Sequence, residues 1–456
     1  MKHIFTTTGI VLALLLTSCV PGDEDDDSHE ETGSKLILSL KGSATGWEPW
    51  VTDGTTSNTH LLKDIVPGQD GSLPSRSDAR FLRMGSYHYF AANDGIHGDG
   101  LWKSDGTQSG TTRITDLRLG PTELTDVNGT LFFRGYVTND EEGSELWKSD
   151  GTADGTVMLK FFEYGPDQCF PRNLTAVGDT LFFTGSDNTH KIELWKSDGT
   201  PEGTVMVKNI YPGDDNGEDG SVPANLTNVN GTLFFTAYDR NGTELWKSDG
   251  TAEGTVRVKD IYPGSRGSTA TELVKAGNKL FFRALGDFTY GKELWMSDGT
   301  AEGTIMVKDI YAGPGNSSPS GLTDVNGTLY FNAYTEFNGT ELWKSDGTAE
   351  GTVQVKNINP TEEEGSSPSS LTAVKNKLFF IANDGKSGQE LWVSDGTATG
   401  TVMVKDINPS GDADIHIYGI LDDLLIFSAL DNEGRKLWKS DGTASGTTVL
   451  VADGLE

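Results

Sequence analysis

Cysteine and basic residues are scarce in this sequence. Its 456 residues include two cysteines, and 36 lysines and arginines stand against 67 aspartates and glutamates, for a formal net charge of −31. With so few cysteines no disulfide framework is expected. The negative charge argues against a nucleic-acid backbone or an anionic membrane surface as a partner, because both would be repelled. Solubility accounts for most of the carboxylates.

Recognisable catalytic motifs are absent as well. The chain has no Gly-x-Ser-x-Gly elbow, no His-Glu-x-x-His pair and no phosphate-binding loop. Cys169 has no His or Asn in a recognisable arrangement, so we interpret it as an inert residue. No segment has a sustained period of 3.6 residues, and we therefore expect very little helix.

The N-terminal region has the pattern of an export signal. An apolar stretch over residues 10–16 leads to Leu16-Thr17-Ser18-Cys19, which resembles a bacterial lipobox. The resemblance implies cleavage before Cys19 and attachment of lipid to it. We predict a signal peptide over 1–18 and a lipidated, acidic, flexible tether over 19–34. The protein is then exported and held by outer-membrane lipid through Cys19, facing either the periplasm or the cell exterior.

The remaining chain, 35–456, is a repeat array. The motif Trp-x-x-Asp-Gly-Thr occurs nine times at intervals of 45 to 52 residues, a period typical of propeller blades. Its tryptophans are Trp50, Trp102, Trp147, Trp195, Trp246, Trp295, Trp343, Trp392 and Trp438. Each complete repeat contains four short β-branched or aromatic segments separated by Asn-Gly and Asp-Gly turn formers.

Adjacent bulky residues in these segments distinguish between architectures. Pairs such as Phe234-Phe235 and Leu245-Trp246 place apolar groups on both faces of a strand, because neighbouring side chains point to opposite sides. Packing between two other blades covers both faces. We therefore predict an all-β fold, a single β-propeller of about eight to nine four-stranded blades. A β-solenoid or two smaller propellers are the alternatives, and the first repeat is expected to lack its innermost strand.

The repeated Glu-Leu-Trp-Lys-Ser-Asp-Gly-Thr resembles the ELW-x-x-DGT repeat family of bacterial exported proteins. The similarity covers nearly the whole mature chain, with departures at Glu48-Pro49-Trp50, Gly100-Leu101-Trp102 and Lys436-Leu437-Trp438. The resemblance implies a repeat architecture and carries no shared activity.

Variation among the repeats suggests where a site lies. The Asn-Gly and Ser-Asp-Gly-Thr turns are nearly identical, whereas the loops on the opposite face differ, and function concentrates in variable loops on rigid scaffolds. The candidate ligand-binding residues are Asp94, His97, Asp99, Asp140, Glu141, Asp187, His190, Asp239 and Asp287.

One acidic connection suggests a metal. Asp214, Asn216, Glu218 and Asp219 supply hard oxygen ligands of the type Ca²⁺ prefers, although the run does not match an EF-hand. Ca²⁺ is therefore a possible cofactor, and a solvated acidic loop is the alternative.

These observations lead to a principal function and two alternatives. The principal expectation is a non-catalytic, lipid-anchored binding or scaffold module for a protein or glycan, without enzymatic activity. The first alternative is a propeller-type glycan lyase or hydrolase with a site in the central channel, and the second is a purely structural envelope component. The enzyme is disfavoured because the histidines of the folded region share no repeat position; they are His60, His88, His97, His190 and His416.

Overall fold

The computed structural model describes residues 34–73, 81–116, 119–136, 143–163, 171–187, 190–212, 220–287, 289–360, 364–451 and 455. This part of the chain is all β, with 35 strands and no helix. Within the same ranges, no helix that could cross a membrane is found.

The strands fall into nine antiparallel sheets, called blades 1 to 9 in chain order. Blade 1 contains β1 (Leu36–Gly42), β2 (Gly46–Thr52) and β3 (His60–Leu61); blade 2 contains β4 (Leu82–Met84), β5 (Tyr87–Asn93), β6 (Asp99–Ser104) and β7 (Thr112–Arg113); blade 3 contains β8 (Thr122–Val127), β9 (Thr130–Gly135), β10 (Gly143–Ser149) and β11 (Val157–Glu163). Blade 4 contains β12 (Arg172–Val177), β13 (Thr180–Gly185), β14 (Glu193–Ser197) and β15 (Val205–Lys208); blade 5 contains β16 (Ala224–Val229), β17 (Thr232–Asp239), β18 (Gly242–Ser248) and β19 (Val256–Arg257); blade 6 contains β20 (Thr271–Ala276), β21 (Lys279–Leu285), β22 (Lys292–Ser297) and β23 (Ile305–Lys308). Blade 7 contains β24 (Ser320–Val325), β25 (Thr328–Thr335), β26 (Gly339–Ser345) and β27 (Val353–Lys356); blade 8 contains β28 (Ser369–Val374), β29 (Lys377–Asn383), β30 (Gln389–Ser394) and β31 (Val402–Lys405); blade 9 contains β32 (His416–Leu421), β33 (Leu424–Asp431), β34 (Gly434–Ser440) and β35 (Thr448–Val451).

The arrangement of the blades is that of a propeller. The first strands of neighbouring four-stranded blades contact one another, β8 with β12, β12 with β16 and so on to β24 with β28, so these inner strands surround the axis. The predicted single β-propeller is confirmed, and it has nine blades. Blade 1 has three strands among the described residues, and the register shows that they correspond to the second, third and fourth strands of the others.

Neighbouring blades share their hydrophobic cores. Phe235 and Trp246 of blade 5 belong to one buried cluster with Val177 and Phe182 of blade 4. Phe235 and Trp246 also contact each other, with ring centroids 6.4 Å apart. Burial of one such side chain contributes roughly 1.5–3 kcal/mol. The adjacent bulky pairs in the sequence therefore exist because each strand packs against a blade on either side.

The Ser-Asp-Gly-Thr turn is a hydrogen-bonded unit. In blade 5, Asp249 Oδ1 accepts hydrogen bonds from the backbone N–H and the hydroxyl of Thr251, each at 2.8 Å. Gly250 has φ of 89°, a conformation that favours glycine, and its N–H donates to Ser248 Oγ. The same turn recurs in every blade, which explains why the motif varies so little.

The ring closes between blades 9 and 1. Lys247 Nζ donates to the carbonyl of Gly299 in the next blade at 2.8 Å, and Lys439 Nζ makes the same contact with Gly54, 385 positions earlier, at 2.7 Å. Leu38 and Leu40 of β1 share a buried cluster with residues of blade 9. This closure excludes the solenoid and the two smaller propellers.

Candidate active site

The glutamate of the Glu-Leu-Trp motif is the most regularly buried ionisable group. Glu244 is fully buried and accepts hydrogen bonds from the backbone N–H groups of Ile261, Tyr262 and Ser268 and from the Ser268 hydroxyl. Burial raises its pKa, and the serine hydrogen bond is the largest opposing effect. Because residues of the connection to the next blade donate all four of these hydrogen bonds, the role of the carboxylate is structural.

The predicted loop residues of blade 2 form a small local network. Asp94 Oδ2 lies 2.7 Å from His97 Nδ1 and 3.4 Å from Arg113 Nη1. Burial opposes ionisation of Asp94, but the hydrogen bonds from His97 and Ile96 and the charge of Arg113 hold its pKa at about 2. Asp99 Oδ1 accepts a hydrogen bond from the Asn93 amide. These contacts stay within one blade.

The other described loop candidates also bond within their own blades. Asp187 Oδ1 lies 2.9 Å from His190 Nδ1, and Asp239 Oδ2 lies 3.4 Å from Arg257 Nη1. Asp287 Oδ1 accepts the backbone N–H of Thr289. Each of these bonds joins residues of the same blade.

Several sequence candidates lie outside the described residues. They are Cys19, Asp140, Glu141 and Cys169, together with the proposed calcium ligands Asp214, Asn216, Glu218 and Asp219. Lipidation of Cys19 and calcium binding therefore stay predictions. Across the described ranges, no three His, Cys, Asp or Glu side chains are grouped so that they could hold a metal ion.

A cavity of about 520 Å³ lies at the axis where blade 1 has no inner strand among the described residues. One wall is β1, and the others come from β4 and β5 of blade 2 and from β32 of blade 9. The polar or charged residues that line it include Lys35, Ser39, Arg83, His88, His416, Tyr418 and Asp422. A second cavity of about 760 Å³, lined by inner strands of blades 2 to 5, shares Phe81 with the first.

His88 occupies a position that belongs to leucine in the other blades. It pairs across the sheet with Ser104, as Leu233 pairs with Ser248 in blade 5. The residues at this position in the other blades are Leu36, Leu131, Leu181, Leu233, Leu280, Leu329, Leu378 and Leu425. One blade of nine thus carries an imidazole where the fold calls for an aliphatic side chain.

The His88 side chain is buried and incompletely bonded. It is 6 % exposed, and its Nδ1 has no hydrogen-bond partner among the described residues. Burial, with a smaller contribution from the positive charge of Arg83, lowers the pKa of His88 to about 4. The imidazole is therefore neutral near pH 7 and can accept a proton.

Ser39 provides a second such group in the same cavity. Its hydroxyl is buried and also has no hydrogen-bond partner in the described part of the chain. The equivalent Thr236 and Arg283 bond to the inner strand of their own blade, through Ala224 and Thr271. Among the described residues, blade 1 has no inner strand that could supply this bond to Ser39.

Sequence reasoning missed Ser39 and His88, although a signal for His88 was present. Tyr87-His88-Tyr89-Phe90 aligns with Thr232-Leu233-Phe234-Phe235, and the substitution of His for Leu is visible in that alignment. Residues shared among the repeats do not reveal it, because a site can use residues that occur only once.

Among known proteins, matches to this chain were found only in solved structures. No family model and no curated protein matches the chain. It is similar to a puromycin hydrolase, with 12 % identity over 74 % of this chain and 54 % of that chain and a TM-score of 0.42. It is also similar to an acylaminoacyl peptidase from Pyrococcus horikoshii, with 11 % identity over 83 % and 53 % and a TM-score of 0.41. A prolyl oligopeptidase B from Galerina marginata matches with 10 % identity over 79 % and 55 %, at a TM-score of 0.41.

These comparisons correct the functional expectation. The matched structures bear the names of hydrolases and peptidases, and this finding contradicts the expected non-catalytic binding or scaffold module and the expected absence of enzymatic activity. The chain spans about half the length of the structures it matches, and at this identity the likeness extends to the fold alone. The residues that line the cavity determine which chemistry the protein can perform.

Proposed function

We propose that the protein is a hydrolase whose site is the axial cavity bounded by β1. The observation that carries the proposal is the presence of two buried polar atoms, Ser39 Oγ and His88 Nδ1, without hydrogen-bond partners among the described residues in one cavity. Burying such atoms unpaired costs roughly 1–3 kcal/mol each. Among the described residues, indole N–H groups of core tryptophans are also unpaired in other blades, but Ser39 and His88 are the pair that lines a common cavity, and unpaired polar groups gathered in a cavity are typical of a functional site.

The cavity residues favour hydrolysis of an amide or ester. In this scheme, neutral His88 takes a proton from a water molecule as its oxygen adds to the substrate carbonyl. The Arg83 guanidinium stabilises the negative charge on the carbonyl oxygen, and Ser39 donates a hydrogen bond to the same oxygen. When the tetrahedral intermediate collapses, protonated His88 returns the proton to the leaving amine or alcohol.

Glycoside hydrolysis and lyase chemistry fit the cavity less well. Most glycoside hydrolases need two carboxyl groups that flank the scissile bond. Among the described residues that line this cavity, Asp422 is the only one with a carboxylate. An acyl hydrolase therefore takes the place of the glycan lyase or hydrolase that was the first alternative from the sequence.

The test is a set of aminoacyl and peptidyl p-nitroanilides and short p-nitrophenyl esters. The full chain is expected to release p-nitrophenol or p-nitroaniline, and His88→Leu is expected to lower kcat/KM by about 10²-fold or more. Leucine is the residue of the other blades, so this variant keeps the core packed. His97→Ala, in an exposed loop, serves as the control with unchanged activity. The proposal fails if no substrate is turned over, or if His88→Leu keeps full activity.

A further inference from the structure

The inner edge of β1 differs from the corresponding edge in the other blades. In blade 5, β17 pairs on one side with β18 and on the other with the inner strand β16. In blade 1, β1 pairs along its length with β2, and on the inner side the described residues supply only one bridge, between Gly42 and Leu455. In the described part of the chain, the edge of β1 from Leu36 to Ser39 thus lines the cavity.

The register of blade 5 identifies the backbone groups on that edge. The N–H of Tyr238, which corresponds to Lys41, donates toward the inner side, to the carbonyl of Ser221. Because the direction of these groups alternates along a strand, Ser39 and Ile37 also direct their N–H and C=O groups inward. The groups of Ile37 and Ser39 are the ones that an added antiparallel strand would bond, a recurring mode of peptide recognition.

The same register identifies which residue of an added strand would meet His88. In blade 4, the last inner-strand residue, Val177, packs in one cluster with Leu233 of the next blade. Val229 and Leu280 repeat the contact between blades 5 and 6. At blade 1 the partner from the next blade is His88, so the sixth residue of an added strand would lie against the imidazole.

We infer that the substrate class is an extended peptide, which binds along the inner edge of β1 as the fourth strand of blade 1 and presents its sixth residue to His88. The inference rests on the proposed function, because it takes His88 to be the group that acts on the bound chain. A small sixth residue, such as Gly, Ala or Ser, leaves room for the attacking water. Valine fills that room, as it does in the other blades.

The binding test uses peptides and leaves the protein unchanged. The probe is a fluorescein-labelled peptide with the sequence of residues 224–231, and its affinity for the full chain is measured by fluorescence anisotropy. In β16, the N–H groups of Thr227 and Val229 face the neighbouring strand and that of Asn228 faces away, as deduced from the paired residues. N-methylation of the fourth and sixth residues together should weaken binding about tenfold or more, for two lost hydrogen bonds. N-methylation of the fifth residue is the matched control and should change affinity much less.

A protein variant separates docking from catalysis. His88→Leu restores the leucine that packs against valine elsewhere, so it should bind the valine peptide more tightly than the wild type while losing hydrolysis of a peptide with Ala as its sixth residue. Absence of saturable binding, or equal binding of all the methylated peptides, would overturn the inference even if esters are hydrolysed. If the peptides bind in the expected register but the Ala peptide is not cleaved, the assignment of peptides as substrates is overturned. If the p-nitrophenyl esters are not hydrolysed either, the proposed hydrolase activity is overturned as well.

Discussion

At the scale of single residues, small departures from the repeat have the largest consequences. Five of the motif glutamates bond a serine hydroxyl of the following connection; they are Glu48, Glu193, Glu244, Glu293 and Glu341. Glu390 has no such bond, because Ala413 stands where Ser221 or Ser268 stands in other blades. Burial is the main cause that raises the pKa of Glu390 to about 7; the N–H groups of Asn408 and Ile407 oppose the shift, and the charges of Asp406 and Asp412 add to it.

Glu390 should make stability depend on pH. Its folded-state pKa of about 7 lies above the ordinary value of 4.5, so its contribution is fully present below pH 4.5 and is lost as the pH rises through 7. The free energy of unfolding from urea titrations should therefore fall between pH 5 and pH 8, and Glu390→Gln should reduce that fall. Glu364→Gln removes the same charge at an exposed position and is the control. An unchanged slope in Glu390→Gln would contradict the assignment.

The repeat made it possible to predict which residues form the core, but not which hydrogen-bond partners the polar residues have. The buried tryptophans and leucines follow from the pattern of adjacent bulky residues. That Glu244 holds the connection to the next blade was hidden, because its donors, from Ile261 to Ser268, are up to 24 positions away. The loop acids were overvalued because a sequence does not show that Asp94 and Asp187 bond their own loops.

At the scale of the element, the Asp-Gly-Thr turn requires two glycines for different reasons. Gly250 has a positive φ. At Gly254 the requirement is steric, because a Cβ there would lie 2.1 Å from the Asp249 carboxylate. The Thr251 hydroxyl also accepts the Gly254 N–H at 2.9 Å. The second glycine therefore packs against the aspartate that organises the turn.

A substitution in one turn tests this packing. Gly254→Ala should lower the free energy of unfolding by about 1–3 kcal/mol, because the Asp249 side chain must leave its hydrogen bonds to make room. Glu253→Ala changes the neighbouring exposed residue and should have little effect. Chemical denaturation of both variants provides the comparison, and equal stabilities would show that the turn tolerates a side chain at this site.

At the scale of the whole molecule, the sequence predicted the propeller but not how its ends meet. Four short strands and two turn formers per repeat are local signals, and nine copies of them predict blades. The closing contacts join Lys439 to Gly54 and β1 to blade 9, and no local pattern reports contacts between the two ends of a chain. The cavity lies at the same closure, between β1 and blades 2 and 9, and blade 1 has three strands among the described residues.

Matched lysine variants test whether the ring is closed. Lys247→Met removes a hydrogen bond between consecutive blades, and Lys439→Met removes the equivalent bond between the last blade and the first. Methionine occurs naturally at this position in blade 6, as Met296, so it should be accommodated. In a closed ring the free energy of unfolding should fall by a similar amount in both variants, about 1–2 kcal/mol. A loss confined to Lys247→Met would indicate an open array.

The measurement that tests the central claim most directly compares activity and stability in His88→Leu. If His88 is a catalytic group retained at a cost to folding, kcat/KM on an amide or ester substrate should fall by about 10²-fold or more, while the free energy of unfolding rises by about 1–2 kcal/mol as an unpaired buried polar atom is removed. The two quantities should thus move in opposite directions. Full activity in His88→Leu, or a loss of stability that accompanies the loss of activity, would contradict the account.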